Sequence, residues 1–165
     1  MAEVWNQYRE SIAGGWRLIS YHLVDTTGPQ TRLLAKPHGD NPLGRVFISR
    51  QGWLAAHLAR PHLMAPDPDR ASMETASDEQ AARIARGLSM YCGYMILYQD
   101  DHGGLYWQTR VEISTDPDKI SGIQERKVTL TEEDGKSYMT LEPKQDFTTE
   151  DGTPARAVLK WEKFE

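Results

Sequence analysis

The 165-residue chain lacks several features that would mark common protein classes. Its single cysteine, Cys92, excludes an internal disulfide and a cysteine-rich zinc site, and a reducing intracellular compartment is the simplest interpretation. No apolar run approaches the ~20 residues that a membrane span needs, and the N-terminus has no secretion-signal pattern. The net charge of -5 leaves no basic footprint for nucleic acid. We therefore predict a cytoplasmic protein with no nucleic-acid partner and no membrane span.

Motifs for common cofactors and catalytic centres are also missing from the sequence. The chain has no phosphate-binding loop, no GxGxxG fingerprint and no Ser-His-Asp signature. None of its five histidines pairs with another at the i, i+2 spacing of two ligands on one strand. We therefore predict that the protein uses neither a metal nor a cofactor.

The overall composition is typical of one globular domain, predicted over residues 1–165. Hydrophobic residues make up 39% and charged residues 26% of the chain, and a chain of this length can bury a core unaided. Five tryptophans and seven tyrosines are many for this length. Such amphipathic aromatics fill cores and also line small-molecule pockets.

Hydrophobic periodicity predicts a mainly β fold. Residues 15–25 are rich in strand-favouring Trp, Ile, Tyr and Val and have no internal turn residue, which favours a long first strand. Further strands are predicted at 31–35, 43–49, 53–58, 93–98, 105–114, 120–130, 137–141 and 155–161. Short turns between most of them favour antiparallel pairing. We predict a closed antiparallel barrel of eight to ten strands, because closure removes exposed strand edges.

Two helices are predicted outside the strands. Residues 3–13 carry apolar side chains at helical spacing, so a short N-terminal helix should plug or flank one end of the barrel. Ser77 and Gln80 have the spacing of a capping box that opens the main helix, predicted over about residues 78–91. The stretch 60–75 holds three prolines and is predicted to be irregular.

The order of these elements and several short motifs resemble the lipocalin-like domain family of the calycin group. The motifs are Gly15-Trp16-Arg17-Leu18-Ile19-Ser20-Tyr21, Pro42-Leu43-Gly44, the stretch from Val46 to Ala56, Tyr91-Cys92-Gly93-Tyr94, Val111-Glu112-Ile113-Ser114, Gly122-Ile123-Gln124-Glu125-Arg126 and Leu159-Lys160-Trp161-Glu162. The resemblance implies an antiparallel barrel with an internal cavity. Related lipocalin-like proteins of microbial, particularly fungal, biosynthetic pathways include cofactor-free cyclases and isomerases. The family pattern often has a histidine where this chain has Thr109, so no role of that histidine is carried over.

Polar residues expected on inner barrel faces are the candidates for function. Gln124 and Arg126 alternate onto one face of their predicted strand. The permanent charge and rigid donor fork of arginine suit a carboxylate, an enolate or a polarised carbonyl. The alternative is that Arg126 stacks on a tryptophan and seals the barrel floor, an Arg–Trp contact that the family resemblance suggests.

The first strand offers a choice between two faces. Ser20 and His22 share a face with Trp16, and if that face is the inner one, His22 can move protons near neutral pH. The alternative is a solvated histidine at the barrel rim. If the other face is inner, Arg17 and Tyr21 replace Ser20 and His22.

The predicted site divides into catalytic and substrate-binding residues. The catalytic candidates are Arg126, Gln124, His22 and Tyr94, and the substrate-binding candidates are Ser20, Trp107, Thr109, Val111, His57 and Glu112. The Tyr94 hydroxyl can donate to an oxyanion or form a hydrogen bond in the core. The sequence does not decide whether His57 lies on the inner or the outer face of its strand. Glu112 belongs to the family motif and can alternatively pair with an arginine. The histidines predicted to lie in loops on the surface are His38, His62 and His102.

The predicted function is that of a cofactor-free isomerase or cyclase acting on an apolar molecule of specialised metabolism. Its cavity would fold the substrate into a reactive conformer. The alternatives are a non-catalytic protein that binds a small hydrophobic ligand and a barrel filled by its own side chains. The expected partner is a small hydrophobic or polycyclic ligand, and a homodimer is compatible with the sequence.

Overall fold

The computed structural model describes residues 2–66, 68 and 72–165, which form a mainly β fold with two α-helices. The strands are β1 (Ala2–Glu3), β2 (Gly14–Asp25), β3 (Arg32–Ala35), β4 (Leu43–Ile48), β5 (Trp53–Ala59), β6 (Leu88–Gln99), β7 (Leu105–Ser114), β8 (Ile123–Glu133), β9 (Lys136–Pro143), β10 (Phe147–Thr148) and β11 (Pro154–Lys163). The helices are α1 (Trp5–Ile12) and α2 (Asp78–Gly87). No helix among the described residues is long and apolar enough to cross a membrane.

Eight of these strands form a closed antiparallel barrel. They pair in the order β2, β4, β5, β6, β7, β8, β9 and β11, and β11 pairs back onto β2 to close the ring. The short strands β3, β10 and β1 pair with β2, β11 and β6. The prediction of a closed antiparallel barrel is therefore confirmed.

The short helix α1 covers one end of the barrel, which we call the lower end. Ile12 is fully buried, and its carbonyl oxygen accepts a hydrogen bond of 2.9 Å from Trp16 Nε1. Lys163 Nζ lies 5.5 Å from the centroid of the Trp16 ring. A lysine, not Arg126, therefore makes the cation–aromatic contact at the floor, and no such contact of Arg126 occurs among the described residues.

The main helix begins as predicted but ends earlier. The Ser77 side chain accepts from the backbone N–H of Gln80, and the Gln80 side chain accepts from the N–H of Ser77, which completes the capping box. The helix ends at Gly87 and not at Tyr91, because residues 88–94 pair with β5 along its whole length. A Cβ on Gly87 would lie 3.0 Å from Leu63 Cβ, so close packing favours glycine at this corner.

The proline-containing stretch 60–75 is irregular over its described part. It holds a single 3-10 turn at Pro61–Leu63, and the described residues after it form turns and bends before α2. The rest of this prediction, at residues 67 and 69–71, lies outside the described residues.

A β-bulge in β2 changes which side chains face inward along the first long strand. Leu18 pairs with Trp161 and Ser20 pairs with Lys160, so Ile19 is the extra residue. Below the bulge, Trp16 and Leu18 are buried in the barrel. Above it the alternation is shifted by one residue, because a bulge re-aims the side chains that follow it.

Candidate functional site

A cavity of about 300 Å³ occupies the barrel above the buried floor, and its volume lies at the lower end of the range for small-molecule pockets. Its apolar wall comes from side chains on four strands: Val46, Leu54, Ala56, Leu58, Leu141, Ala157 and Leu159. Its polar lining consists of Tyr21, His38, Arg60, Arg86, Ser89, Tyr91, Trp107, Arg126 and Trp161. A mainly apolar wall with a few polar groups is the usual composition of a binding pocket.

His38 is buried at the upper end of this cavity, with only 5% of its surface exposed. It comes from the loop between β3 and β4, and its ring centroid lies 5.0 Å from that of Tyr21. The prediction that His38 lies on the surface is therefore wrong. The reason is that β3 folds back along β2, so the following loop returns over the barrel. His62 and His102 are exposed, as predicted.

Burial keeps the His38 imidazole neutral at neutral pH. Desolvation lowers the pKa of His38, the positive charge of Arg60 lowers it further, and a hydrogen bond with the backbone of Ala59 partly offsets both effects. His38 Nδ1 is buried and has no hydrogen-bond partner among the described residues. A neutral ring with a free nitrogen has the capacity to accept a proton or a hydrogen bond.

Two tyrosines line the cavity with their phenols protonated. Desolvation raises the pKa of Tyr21 above its usual range, and the positive charges of Arg60 and Arg126 partly offset that rise. Desolvation likewise raises the pKa of Tyr91, with Arg126 again opposing it. Tyr21, Tyr91 and Arg126 all line this one cavity.

Arg126 and Trp107 are neighbours on adjacent strands. They are Cα partners in the β7–β8 ladder, so both project from the same inner face. Arg126 is half-buried and donates from Nη1 to the carbonyl oxygen of Glu125 at 2.7 Å. The indole N–H groups of Trp107 and Trp161 are buried and find no acceptor within the part of the chain that the structure describes.

The charge of the cavity lining is positive. Three arginines contribute to it, and no aspartate or glutamate does so within residues 2–66, 68 and 72–165. The same residues contain no cluster of His, Cys, Asp and Glu side chains that could hold a metal ion. The site therefore offers the hydrogen-bond donors of its arginines and tryptophans, a neutral imidazole and protonated phenols.

The structure brings five of the ten predicted site residues to the inner barrel face. Arg126 and Trp107 line the cavity itself. Gln124 is the Cα partner of Thr109, next along the same two strands, and Thr109 and Val111 are buried. The hydroxyl of Thr109 has no hydrogen-bond partner among the described residues.

The other five predicted site residues face away from the cavity. They are Ser20, His22, Tyr94, His57 and Glu112. Above the β2 bulge Tyr21 pairs with Leu159 on the inner face, so the placement of Ser20 and His22 inside the barrel is corrected. The phenol of Tyr94 is 54% exposed and packs edge-on at 4.9 Å against Trp53.

Alternation and a second bulge explain the last two placements. His57 is exposed because Ala56 and Leu58 take the inner face of β5. In the β6–β7 ladder Gly93 pairs with Val111 and Cys92 with Ile113, so Glu112 is the extra residue. Glu112 is exposed there, and no ion pair joins it to an arginine among the described residues.

Several lining residues escaped the sequence-based assignment. His38 and Arg60 lie beside turns, where no periodic signal tells an inward from an outward side chain. Tyr21 was open as the alternative face of β2, and only the bulge decides it. Tyr91 and Trp161 lie within motifs of the family resemblance, and that is the signal by which they could have been found.

Comparison with known proteins gives a single kind of match. A family model described as a lipocalin-like domain matches residues 13–164, which is nearly the whole chain. Searches of curated proteins and of solved structures find no match.

Proposed function

The chain belongs to the lipocalin-like domain family, and on that premise we propose that its barrel cavity binds a small, largely apolar molecule. The observation that carries this proposal is the cavity of about 300 Å³ with an apolar wall and a few polar groups. A small barrel of eight strands has room for one small ligand. Burial of the ligand's apolar surface against Leu54, Ala56 and Leu159 would supply most of the affinity.

The neutral fluorescent probe N-phenyl-1-naphthylamine tests the binding proposal. Ala157 and Val158 are adjacent on β11 and face opposite sides, since Ala157 lines the cavity and pairs with Leu23, while Val158 pairs with His22. Ala157→Phe is expected to fill part of the cavity and weaken binding by about tenfold or more, because the probe loses apolar contact. Val158→Phe enlarges a side chain on the outer face and should leave binding unchanged.

The result also depends on the folded state of both variants, which circular dichroism and thermal unfolding would verify. Absence of probe binding to the wild type, or equal binding by both variants, would refute the cavity as the binding site. If Ala157→Phe does not fold, the smaller Ala157→Leu, with Val158→Leu as the change on the outer face, provides the same comparison of inner and outer positions.

A cofactor-free isomerase or cyclase is the catalytic form of this proposal. It is favoured by the neutral imidazole of His38, the protonated phenols of Tyr21 and Tyr91 and the guanidinium of Arg126 in one cavity. His22 and Tyr94 face outward, so proton transfer falls to His38 and its neighbours.

An isomerisation of this type needs only a base and a stabilised anion. His38 would accept a proton from a carbon that lies between a carbonyl and a C=C bond, the C–H electron pair would form a new C=C bond to the carbonyl carbon, and the C=O π pair would move onto the oxygen, where Arg126 would stabilise the resulting dienolate. Return of the same proton to the far end of the original C=C bond would restore the carbonyl and leave that double bond shifted by one position, without an oxidant or a cofactor. In a cyclisation, the apolar wall would hold two parts of one substrate in contact.

The setting of this activity stays a prediction from the sequence. We expect a cytoplasmic protein that acts in specialised metabolism without nucleic acid, and a homodimer is compatible with it. None of these expectations enters the binding proposal, which depends on the cavity alone.

A further inference from the structure

We propose that the molecule bound in the cavity carries an anionic oxygen group, a carboxylate or an enolate, held by Arg126 and the indole N–H of Trp107. This inference rests on the proposed binding function and names the chemical class of the ligand. The rest of such a molecule would be apolar, to match the wall formed by Leu54, Leu141 and Leu159.

The first argument concerns the hydrogen-bond donors in the cavity wall. Arg126 and Trp107 are cross-strand partners on the inner face, so their side chains are neighbours in the cavity wall. The Trp107 N–H is buried without an acceptor among the described residues. A buried donor without a partner is unfavourable, and an acceptor on a bound ligand would relieve that cost. The Trp161 N–H, buried in the same condition, would serve a second acceptor on the ligand.

The second argument is the way the chain pairs its arginines. On the outer surface Arg32 pairs with Asp25 at 3.0 Å, Arg156 pairs with Asp146 at 2.6 Å, and Arg17 pairs with a Glu162 carboxylate. Arg126 has only the carbonyl oxygen of Glu125 at 2.7 Å, and no carboxylate pairs with it in the described part of the chain. A half-buried guanidinium without a counter-charge is a ready partner for an anion from outside.

The third argument is the remaining charge of the cavity. Arg60 and Arg86 also line it, His38 is neutral there, and Tyr21 and Tyr91 keep their protons. A cationic ligand would meet the like charge of three arginines, and an alcohol would leave the Arg126 guanidinium without a counter-charge. An organic anion is the class that uses both the charge and the free donors.

Competition against N-phenyl-1-naphthylamine tests the charge preference on one carbon frame. The competitors are 2-naphthoate, 2-naphthylmethanol and 2-naphthylmethylammonium, and 1-phenylbutane-1,3-dione tests the enolate as the pH rises through its ionisation. We expect 2-naphthoate to bind about tenfold more tightly than the alcohol, since hydrogen bonds to a charged group carry that much free energy. The ammonium compound should bind weakest. If the diketone binds more tightly once it is ionised and 2-naphthoate shows no preference over the alcohol, the bound group is an enolate. If 2-naphthoate is preferred and ionisation of the diketone does not tighten its binding, the bound group is a carboxylate.

Variants of Arg126 and Trp107 test whether these residues cause the preference for the anion. Arg126→Met keeps the length of the side chain and removes its charge, so the affinity ratio of 2-naphthoate to the alcohol should fall to near one. Arg110→Met is the matched control, because Arg110 is exposed on the outer face of β7, and it should keep the ratio. Trp107→Phe removes the indole N–H together with one ring. The lost apolar contact affects 2-naphthoate and the alcohol alike, so the loss of the donor should lower their affinity ratio by about threefold.

The two proposals fail separately. If the neutral probe binds and the three naphthyl compounds and the diketone show no preference for the anion, the ligand class is refuted and the cavity stays a binding site. If Arg126→Met keeps the preference, the assignment to Arg126 is refuted. If the neutral probe does not bind the wild type, both proposals fall. Should Arg126→Met not fold, Arg126→Lys keeps the charge without the planar fork and should retain only part of the preference.

Discussion

Gly44 allows the closest packing at the floor of the cavity, and replacing it by alanine tests that packing. A Cβ added at Gly44 would lie 2.8 Å from Leu18 Cβ and 3.3 Å from Trp161 Cη2. Neither neighbour can yield cheaply, because Leu18 Cβ moves only with the backbone of β2 and Trp161 is 1% exposed. The substitution therefore forces a shift of the strand or of the indole.

The size of the effect follows from two opposing contributions. Overpacking a well-filled core costs about 1–3 kcal/mol, whereas Gly→Ala reduces the freedom of the unfolded chain and returns about 0.4–1 kcal/mol. We expect Gly44→Ala to lower the free energy of unfolding by about 1–2 kcal/mol, which corresponds to a fall in Tm of roughly 2–8 °C for a chain of this size. Because Trp161 lines the cavity, affinity for a neutral probe should fall as well.

Urea denaturation followed by tryptophan fluorescence measures this change directly. Gly28→Ala is the control, since the nearest atom to a Cβ there is Gln30 O at 3.8 Å, and its stability should change by less than about 0.5 kcal/mol. Wild-type or greater stability in Gly44→Ala would refute the tight contact among Gly44, Leu18 and Trp161. An equal loss in both variants would show that the effect comes from alanine itself and not from the packing.

Two further predictions concern His38. Because burial lowers the pKa of His38 in the folded state, the unfolded chain takes up the proton first. The difference in stability between the wild type and His38→Gln should therefore shift against the wild type as the pH falls through about 6.5. A pH-independent difference in urea midpoints would contradict the buried neutral imidazole. In D₂O, the wild type should accelerate deuteration of the acidic carbons of 1-phenylpropan-2-one, followed by NMR. His38→Gln should abolish that acceleration and the outward His22→Gln should keep it, whereas loss in both variants or in neither would remove His38 as the base.

The fold was largely predictable because its signals are local. Period-two alternation marks the strands, and the capping box at Ser77 and Gln80 marks the start of α2. The end of α2 was predicted too late, because helical spacing at Leu88 and Tyr91 persists into residues that pair with β5. Long-range strand pairing overrode a local helical pattern there, and a single sequence does not display that competition.

The site was less predictable because its geometry depends on two bulges and one loop. Alternation places Trp16 on the inner face of β2 correctly, but the extra residue at Ile19 moves His22 to the outside. On β7 and β8 the ladder from Leu105 to Arg110 is regular, so Trp107 and Arg126 follow the expected alternation. The prediction succeeded for Trp107 and Arg126, where the ladder is regular, and failed for Ser20 and His22 above the β2 bulge, since a shift of one residue reverses every side chain after it.

The two ends of the cavity differ in their polar and charged groups. Its lower end is closed by buried Trp16 and Ile12, with the Lys163 ammonium over the indole. Its upper end carries His38 and the charged Arg60. A ligand with an apolar body and an anionic head would therefore enter from the upper end, body first. Its head would come to rest against Arg126, beside the buried indole N–H of Trp107, which has no acceptor among the described residues.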